Sequence, residues 1–259
     1  MIVTTSERPD ESTVERANSL AEEWQAAYVP RLQQSISRMS RSNGNVDVAI
    51  VGPKEVKLVP ADGPPLFFHP SMALVRLKRL IGGGRDTLVS VSDAAPGDVV
   101  LDCTAGLCAD ALVYSYAVGR QGKVIALEAS PVLHAIVREG LKTYESGIPE
   151  VDNAMRAITA IQSDYESYLA QLKDKSVDIV YFDPMFERPV NSSSALAPLR
   201  SQARMEPLQI GSVREAIRVA RKKIVLKDNR GSGHFAELGF SLARKSGSSV
   251  AYGVINSED

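Results

Sequence analysis

The chain has little cysteine, histidine or tryptophan: its 259 residues include two Cys, three His and one Trp. Cys103 and Cys108 lie five residues apart, a spacing that suits neither a disulfide framework nor a metal-ligand pair. His69 and His134 are not at metal-ligand spacing either, so no metal is expected. We interpret the two cysteines as buried thiols and these two histidines as structural residues.

Long apolar runs are also missing from the sequence. No stretch approaches the roughly 18 apolar residues that a membrane-spanning helix requires. The first 17 residues, MIVTTSERPDESTVERA, have neither the basic start nor the apolar stretch of a secretory signal. A cytoplasmic protein without a membrane partner is therefore expected.

Charge is nearly balanced over the chain but unevenly distributed along it. The formal net charge is -1, and a hydrophobic content of 44% supports a sizeable core. Residues 1–25 contain six acidic and two basic residues, whereas residues 183–230 contain ten Lys or Arg against five Asp or Glu. The basic segment can bind a polyanion, although a solvated surface of mixed charge is the favoured explanation of any single run.

The first 70 residues predict a small α/β unit. Strands are expected where β-branched residues cluster, and a helix where apolar residues recur at helical spacing. A second amphipathic helix, Met72–Ile81, ends at a run of three glycines that marks a hinge or boundary. The sequence therefore divides into an N-terminal α/β extension, 1–70, and a main domain, 71–259. The elements predicted in the extension are Ile2–Thr5, Thr13–Tyr28, Val46–Val51 and Val56–Val59.

From Asp98 onward, predicted strands and helices alternate, which is typical of a parallel sheet covered on both faces. A final antiparallel pair is expected at the sheet edge, where two strand patterns flank a Ser-Gly-Ser turn. The fold class is therefore α/β. The predicted strands are Val99–Cys103, Val124–Glu128, Ile158–Gln162, Val177–Asp183, Lys223–Lys227, Phe240–Arg244 and Val250–Ile255. The predicted helices are Ala109–Val118, Pro131–Tyr144, Tyr165–Leu172 and Ser212–Ala220.

A turn of small residues follows the first of these strands, at the usual place for a nucleotide ligand. It contains only one glycine, Gly106, of a G-x-G-x-x-G fingerprint, which disfavours a dinucleotide. S-adenosylmethionine has no phosphate, so Asp102 can hold its charged amino-acid part while the backbone of Thr104, Ala105 and Gly106 meets the methionine. An ordinary strand-to-helix turn is the alternative interpretation.

Acidic residues also end the next two strands. Glu128, 26 residues after Asp102, can accept hydrogen bonds from both hydroxyls of a ribose. Asp164 can accept a hydrogen bond from the adenine amino group, and Tyr165 can cover the adenine ring. Glu128 and Asp164 can each instead do no more than cap the helix that follows. Three further residues complete the predicted cofactor set: Asp110, Ala129 and Asp183.

The most specific motif is Asp183-Pro184-Met185-Phe186, at the end of a buried strand. The exocyclic amine of a base is a poor nucleophile because its lone pair is delocalised, so an enzyme must align it with the methyl donor. The Asp183 carboxylate and the Pro184 carbonyl can accept two N–H bonds, while Phe186 can stack on a base that has left its helix. An Asp-Pro turn is the alternative; the position behind three acidic strand ends favours the amine site.

The chain resembles the RsmJ-like methyltransferases, which modify the guanine amino group of small-subunit ribosomal RNA, and their uncharacterised Gram-positive relatives. The resemblance rests on the tetrapeptide and on further motifs elsewhere in the chain. The resemblance spans most of the chain, and its most specific element is the Asp-Pro-Met-Phe tetrapeptide. The further motifs are Phe67-Phe68-His69-Pro70-Ser71-Met72, Gly82-Gly83-Gly84-Arg85, Asp102-Cys103-Thr104-Ala105-Gly106-Leu107 and Lys223-Ile224-Val225-Leu226-Lys227.

The resemblance implies a Rossmann-like seven-stranded class I methyltransferase sheet, S-adenosylmethionine as cofactor, S-adenosylhomocysteine as product, and ribosomal RNA or the small ribosomal subunit as partner. It also implies that Asp102, Gly106, Glu128 and Asp164 hold the cofactor and that residues 183–186 form the amine site. The sequence departs from the family pattern at two places. Cys108 stands where a glycine is usual, and Glu187-Arg188-Pro189 replaces a more basic stretch.

Substrate contacts are expected from the tetrapeptide and from basic residues near it. They are Met185, Phe186, Arg188, Arg200, Arg204 and Lys227. The expected activity is direct, metal-free methyl transfer to a guanine amino group of small-subunit ribosomal RNA. The alternatives are the same chemistry on DNA adenine, DNA cytosine or a protein amide, and a non-catalytic module that binds the cofactor or RNA. A nicotinamide oxidoreductase is more distant, because the phosphate-binding glycines are missing.

Overall fold

The computed structural model describes residues 1–184, 207–243 and 249–257. In chain order its elements are β1 (Ile2–Thr5), α1 (Glu11–Glu23), β2 (Ala27–Tyr28), α2 (Ile36–Ser42), β3 (Val48–Val51), β4 (Val56–Val59), β5 (Leu66–Phe67), α3 (Ser71–Ile81), α4 (Thr87–Ser92), β6 (Val99–Asp102), α5 (Ala109–Val118), β7 (Lys123–Glu128), α6 (Pro131–Thr143), α7 (Pro149–Arg156), β8 (Ile158–Gln162), α8 (Tyr165–Gln171), β9 (Val177–Phe182), α9 (Ile210–Val219), β10 (Ala220–Asn229), α10 (His234–Glu237), β11 (Ser241–Leu242) and β12 (Val250–Asn256). In these described ranges, no helix combines the length and the apolar composition that crossing a membrane requires.

The described residues form two compact units that interleave along the chain. The first contains residues 1–69 and 131–145, and the second contains residues 70–130, 146–184, 207–243 and 249–257. Because α6 belongs to the first unit, the two units cannot be separated by a single boundary in the sequence. The division into domains 1–70 and 71–259 stays a prediction.

The first unit contains a mixed sheet with the strand order β2-β1-β3-β4-β5. β1 is parallel to β2 and β3, whereas β3, β4 and β5 pair antiparallel. Helix α1 begins after Asp10, whose carboxylate accepts the Thr13 N–H at 2.8 Å, the usual bond of an N-cap. The helix predicted to reach Tyr28 ends at Glu23 instead. Gln25 has φ +51°, and the next residues pair with β1 as strand β2.

The second unit contains, among the described residues, a seven-stranded sheet in the order β11-β12-β10-β9-β6-β7-β8. Strands β6 to β10 are parallel, β12 is antiparallel to β10, and β11 is antiparallel to β12. The strand order reverses between β6 and β9, and ligands of open α/β sheets bind outside the carboxyl ends of the strands at such a point. The predicted fold class, an α/β sheet of this seven-stranded type, is confirmed.

Helices cover both faces of this sheet. On one face, Val180 and Phe182 of β9 share an apolar cluster with Leu169 of α8 and Val213 of α9. On the opposite face the Tyr181 ring meets the Tyr114 ring of α5 edge to face, with centroids 5.5 Å apart. All six residues of β9 are buried, which explains why this strand is a continuous apolar run.

Candidate active site

Three carboxylates lie at the carboxyl edge of the parallel strands in the second unit. Asp102 ends β6 and pairs in register with Tyr181 of β9 and Ala126 of β7. Asp183 and Glu128 therefore lie two residues farther along their strands, at the same edge. The sheet thus brings together the carboxylates that the sequence assigned to the cofactor and to the amine.

The turn after β6 is held by hydrogen bonds to both neighbouring strands. The Cys103 N–H donates to the Tyr181 carbonyl at 2.9 Å, and the Ala105 N–H donates to the Leu127 carbonyl at 3.0 Å. Gly106 has φ +50°, and no other atom of the described structure lies within 4 Å of the position that a Cβ would take. A ligand can therefore approach the backbone closely at this glycine.

Cys108 shapes the end of the same turn. It is 1% exposed and has φ +59°, a left-handed conformation that costs a non-glycine residue roughly 1 kcal/mol. The resemblance led us to expect glycine here, and the left-handed conformation is one that glycine adopts without this cost. Burial raises the pKa of the Cys108 thiol well above its ordinary value, which makes it a structural group rather than a reactive thiolate.

Asp102 is a buried carboxylate beside this turn. Its side chain accepts the Thr104 N–H at 3.1 Å, the residue is 1% exposed, and among the described residues no cation forms a salt bridge with it. Burial raises its pKa well above the ordinary value, and the Thr104 hydrogen bond opposes that rise. Such a group favours a ligand that brings a positive charge.

Glu128 accepts the Ser130 N–H at 2.8 Å through Oε1. Burial raises its pKa to about 7, against the lowering effect of hydrogen bonds from the N–H groups of Ser130, Gly106 and Ala129. Ala129, predicted to lie at the cofactor, therefore contacts the Glu128 carboxylate through its backbone. Because the pKa of Glu128 lies near neutral pH, a gain or loss of hydrogen bonds to its carboxylate changes whether the group is ionised.

Asp164 and Tyr165 begin helix α8. The Asp164 carboxylate accepts the Ser167 N–H at 2.8 Å and caps the helix, one of the two roles that the sequence left open. The Tyr165 ring is buried and meets the Phe182 ring edge to face, with centroids 5.6 Å apart. Their contacts with an adenine stay predictions.

Asp183 lies at the end of a buried polar network. Its Oδ2 is 2.6 Å from Nζ of Lys227, and that same Nζ is 2.9 Å from Oδ2 of Asp110. The Tyr181 hydroxyl donates to Oδ2 of Asp110 at 2.7 Å, and Arg76 forms an ion pair with Oδ1 of Asp110. Burial raises the pKa of Asp183 to about 6, and Lys227 opposes that rise.

Sequence reasoning missed three members of this network: Arg76, Asp86 and Tyr181. The Arg76 guanidinium donates two hydrogen bonds of 2.8 Å to Asp86, and Asp86 caps α4 by accepting the Leu88 N–H at 2.9 Å. The cap was readable from an Asp before a short apolar run, but the Arg76 pairing was not, because its partners are remote in sequence.

The structure places the predicted substrate residue Lys227 between two carboxylates, and its contact with a phosphate stays a prediction. Pro184, which the sequence predicts to bind the amine together with Asp183, lies among the described residues directly after Asp183. The remaining predicted substrate residues lie outside the described residues; they are Met185, Phe186, Arg188, Arg200 and Arg204.

The hydrogen-bond acceptors at this edge suit a ligand that carries a positive charge and no phosphate. Open space beside Gly106, the carboxylate of Asp102 that has no salt bridge in the described residues, and Glu128 offer acceptors and backbone approach. Asp102, Asp110 and Asp183 outnumber the two cations of the network, which disfavours a pyrophosphate. No group of three or more His, Cys, Asp or Glu side chains suited to a metal ion occurs among the residues that the structure describes.

Residues 62–239 match the family described as "Putative SAM-dependent methyltransferase". The chain belongs to this family. As a SAM-dependent methyltransferase it takes S-adenosylmethionine as cofactor, which confirms the cofactor and the family that the motifs predicted.

Relatives of this methyltransferase include both uncharacterised and named proteins. It is 39% identical to the uncharacterized protein YpiP of Bacillus subtilis (strain 168), over 98% of each chain. It is 30% identical to ribosomal RNA small subunit methyltransferase J of Coxiella burnetii, over 64% of this chain and 65% of that one. The crystal structure of a SAM-dependent methyltransferase from Neisseria gonorrhoeae matches with a TM-score of 0.66 and 19% identity, covering 99% of this chain and 96% of the other; this likeness shows the shared fold.

Proposed function

We propose that this methyltransferase methylates the exocyclic amino group of a guanine in small-subunit ribosomal RNA, in the cytoplasm. One observation carries the proposal: the Asp183 backbone N–H donates to the Thr104 hydroxyl at 2.6 Å. This hydrogen bond ties the amine-binding motif to the predicted cofactor turn. The named relative, a ribosomal RNA small subunit methyltransferase, supports the choice of RNA and of subunit.

Residues of β6, β7 and α8 hold the cofactor in this proposal. Asp102 accepts its ammonium group, the backbone from Thr104 to Gly106 lies along its methionine part, and Glu128 accepts its ribose hydroxyls. Asp164 and Tyr165 border the adenine. When bound, S-adenosylmethionine supplies an electrophilic methyl group on a positively charged sulfur and leaves as S-adenosylhomocysteine.

Asp183 and Pro184 align the amine. The Asp183 carboxylate accepts one N–H of the guanine amino group and the Pro184 carbonyl accepts the other, so the nitrogen lone pair can point at the methyl carbon. As the carbon–nitrogen bond forms, the nitrogen becomes acidic and loses a proton to Asp183 or to water. We assign base stacking to Phe186, a contact with the base to Met185, and phosphate contacts to Arg188, Arg200 and Arg204.

Transfer of a labelled methyl group to small-subunit ribosomal RNA tests this function. The RNA should come from cells in which the gene for this chain is deleted. RNA from cells that retain the gene, which already carries the methyl group, is the control. We expect label on a guanine amino group, and a loss on the order of a hundredfold or more in Asp183→Ala. Asp174→Ala is the matched control, because Asp174 is 76% exposed and pairs with Arg218.

Cofactor binding, measured separately by calorimetry, makes the result interpretable. Asp183→Ala that binds the cofactor but transfers no methyl group supports the amine site. No label on any RNA with cofactor binding intact contradicts the ribosomal assignment and directs the search to DNA adenine, DNA cytosine or protein amides. RNA binding that persists without cofactor and is unchanged by Asp102→Ala indicates a non-catalytic module.

A further inference from the structure

A buried polar network lies behind the carboxylate of Asp183. It consists of Lys227, Asp110, Tyr181, Arg76 and Asp86, and we call it the Lys227 clamp. These residues come from β10, α5, β9, α3 and the residue that caps α4. The clamp therefore joins five elements at the carboxyl edge of the sheet. Within the described residues, Lys227 is its only member that bonds to the amine-binding motif.

Asp110 fixes one end of Lys227. Oδ2 of Asp110 accepts the Tyr181 hydroxyl at 2.7 Å and Nζ of Lys227 at 2.9 Å, while Oδ1 pairs with Arg76. The Asp110 side chain is 7% exposed. With three donors already around it, Asp110 is poorly placed to bind the cofactor directly, so its task is better explained as anchoring the lysine.

Lys227 in turn bonds to one particular oxygen of Asp183. Its Nζ is 2.6 Å from Oδ2, and among the described residues Oδ1 has no hydrogen-bond partner. The Asp183 side chain is 26% exposed, so a ligand can reach it. One oxygen of the carboxylate is thus engaged with the protein and the other is available.

We propose that Lys227 is a positioning residue for the methyl-accepting amine: held by Asp110, its ammonium group occupies Oδ2 of Asp183 and leaves Oδ1 as the oxygen that accepts the amine N–H. This inference rests on the proposed role of Asp183. An ordered carboxylate presents its free oxygen in one direction, which matters because small errors in orientation reduce rate steeply. The ammonium group also keeps Asp183 ionised, and therefore an acceptor, beside other carboxylates.

Several charged and titratable groups face this pair. Asp183 faces Asp110 of α5 and Asp228 of β10, and it also faces Asp102 of β6. Tyr252 of β12 interacts with Lys227 and with Arg76 of α3. Because the other groups near Asp183 are mostly carboxylates, removing the Lys227 charge should leave Asp183 in a net negative surrounding and favour its protonated form.

The competing interpretation is that Lys227 contacts an RNA phosphate. That role predicts a higher KM for RNA and a weaker dependence of binding on salt in Lys227→Met, because a phosphate contact releases counterions. It predicts no change in kcat or in the pH profile. The positioning role predicts a lower kcat and a shifted pH profile, with little change in the KM for RNA or in the salt dependence of binding. The two interpretations therefore differ in every readout.

Steady-state methyl transfer by Lys227→Met, measured between pH 5.5 and 9, tests the proposal. We expect kcat to fall about ten- to a hundredfold at neutral pH and its acidic limb to move upward by about one pH unit or more. Cofactor affinity and the KM for RNA should change less than about threefold. Lys227→Arg, which keeps the charge, should restore the position of the acidic limb.

Lys223→Met is the matched control, because Lys223 lies on the same strand and pairs with the exposed Asp93; its kinetics should equal the wild type. If Lys227→Met folds poorly because Asp110 loses one of its two cationic partners, the double variant Asp110→Asn/Lys227→Met removes that buried charge. Its acidic limb should still lie above that of the wild type, but by less than in Lys227→Met, because Asp110 itself raises the pKa of Asp183. An unshifted limb in a folded variant, with a raised KM, overturns the positioning role.

A substrate-free readout separates failure of this inference from failure of the proposed function. Carbon-13 NMR titration of the aspartate carboxyl groups, with Asp183→Asn to assign the signal, should show a higher pKa for Asp183 in Lys227→Met than in the wild type. An unchanged pKa overturns the clamp whatever the substrate. A raised pKa combined with no methyl transfer to any RNA leaves the clamp intact and contradicts the ribosomal function.

Discussion

Glu128 and Asp110 are both largely buried at the same edge of the sheet, but their pKa values shift in opposite directions. Burial raises the pKa of Glu128 to about 7, because only N–H groups oppose it. For Asp110 burial also acts upward, yet Lys227 and Arg76 hold its pKa below the usual range. A contacting cation therefore decides which carboxylate stays ionised near neutral pH.

Cofactor affinity should depend on pH through Glu128. Accepting hydrogen bonds from both ribose hydroxyls requires the ionised carboxylate, so the dissociation constant should rise about tenfold per pH unit below pH 7 and level off above pH 8. Calorimetry with S-adenosylmethionine between pH 5.5 and 8.5 measures this. In Glu128→Gln, binding should be weaker at pH 8 and almost independent of pH; an unchanged slope in this variant would assign the titration to Asp102 instead.

At the scale of secondary structure, several strands and one longer helix were predictable to the residue, whereas short helices were not. Ala109–Val118 and Ile158–Gln162 have the predicted bounds, because an apolar helix and an alternating strand each have clear flanking signals. Short helices such as Thr87–Ser92 and Pro149–Arg156 span only about two turns, too few for a period to be recognised. The antiparallel pair predicted at the sheet edge is confirmed, since Ser241–Leu242 pairs with Val250–Asn256. Its first strand is shorter than predicted, and the predicted end at Arg244 lies outside the described residues.

Within the candidate site, the residues at the ends of parallel strands were predictable from the sequence. Asp102, Glu128 and Asp183 lie at one edge because parallel strands place their carboxyl ends together, and each of them stands at the end of a strand pattern that is readable in the sequence. The Lys227 clamp was not predictable in the same way. Arg76 and Asp110 are 34 residues apart, and pairing across helices leaves no spacing signal in the sequence.

Two helical glycines should respond oppositely to alanine. In α6, a Cβ on buried Gly140 would overlap the Phe68 side chain, whereas in α9 the exposed Gly211 has no atom within 4 Å of its Cβ position. We expect Gly140→Ala to lower the free energy of unfolding by about 1–3 kcal/mol through overpacking. Gly211→Ala should raise it by up to about 1 kcal/mol through helix propensity.

Urea midpoints of the two alanine variants against the wild type measure this difference. Since each substitution adds one methyl group to a helix, propensity alone would move both midpoints in the same direction. An unchanged or higher midpoint for Gly140→Ala would mean that α6 and Phe68 separate without cost, and the close packing between them would then contribute little.

Over the whole molecule, buried carboxylates divide into those that stabilise the fold near neutral pH and those that cost stability. Arg76 and hydrogen bonds from α4 lower the pKa of Asp86 despite its burial, and the Arg221 side chain lowers the pKa of Asp178. Both contribute stability above their unfolded pKa, and this is lost as pH falls through the lower folded value. The raised pKa values of Asp102 and Glu128, at the predicted cofactor turn, have the opposite sign. These two carboxylates therefore lower the stability of the cofactor-free protein.

Asp102→Asn should therefore stabilise the cofactor-free protein while removing cofactor binding. Burial raises the folded-state pKa of Asp102 well above the ordinary value of an aspartate, so its ionised form costs stability once the pH exceeds the unfolded pKa. Asparagine is neutral and can still accept the Thr104 N–H. At pH 7 the free energy of unfolding should rise by roughly 1–3 kcal/mol, and the difference should shrink as the pH approaches 4.

Thermal unfolding with and without S-adenosylmethionine tests both halves of this expectation. Cofactor at about 100 times its dissociation constant should stabilise the wild type by about 2.7 kcal/mol and leave Asp102→Asn almost unchanged. Lower stability of the cofactor-free variant at pH 7 would mean that the carboxylate is favourably paired in the fold. Higher stability with an intact cofactor shift would mean that Asp102 is a buried cost without a role in binding, and the ammonium group would then have to be bound elsewhere at the turn.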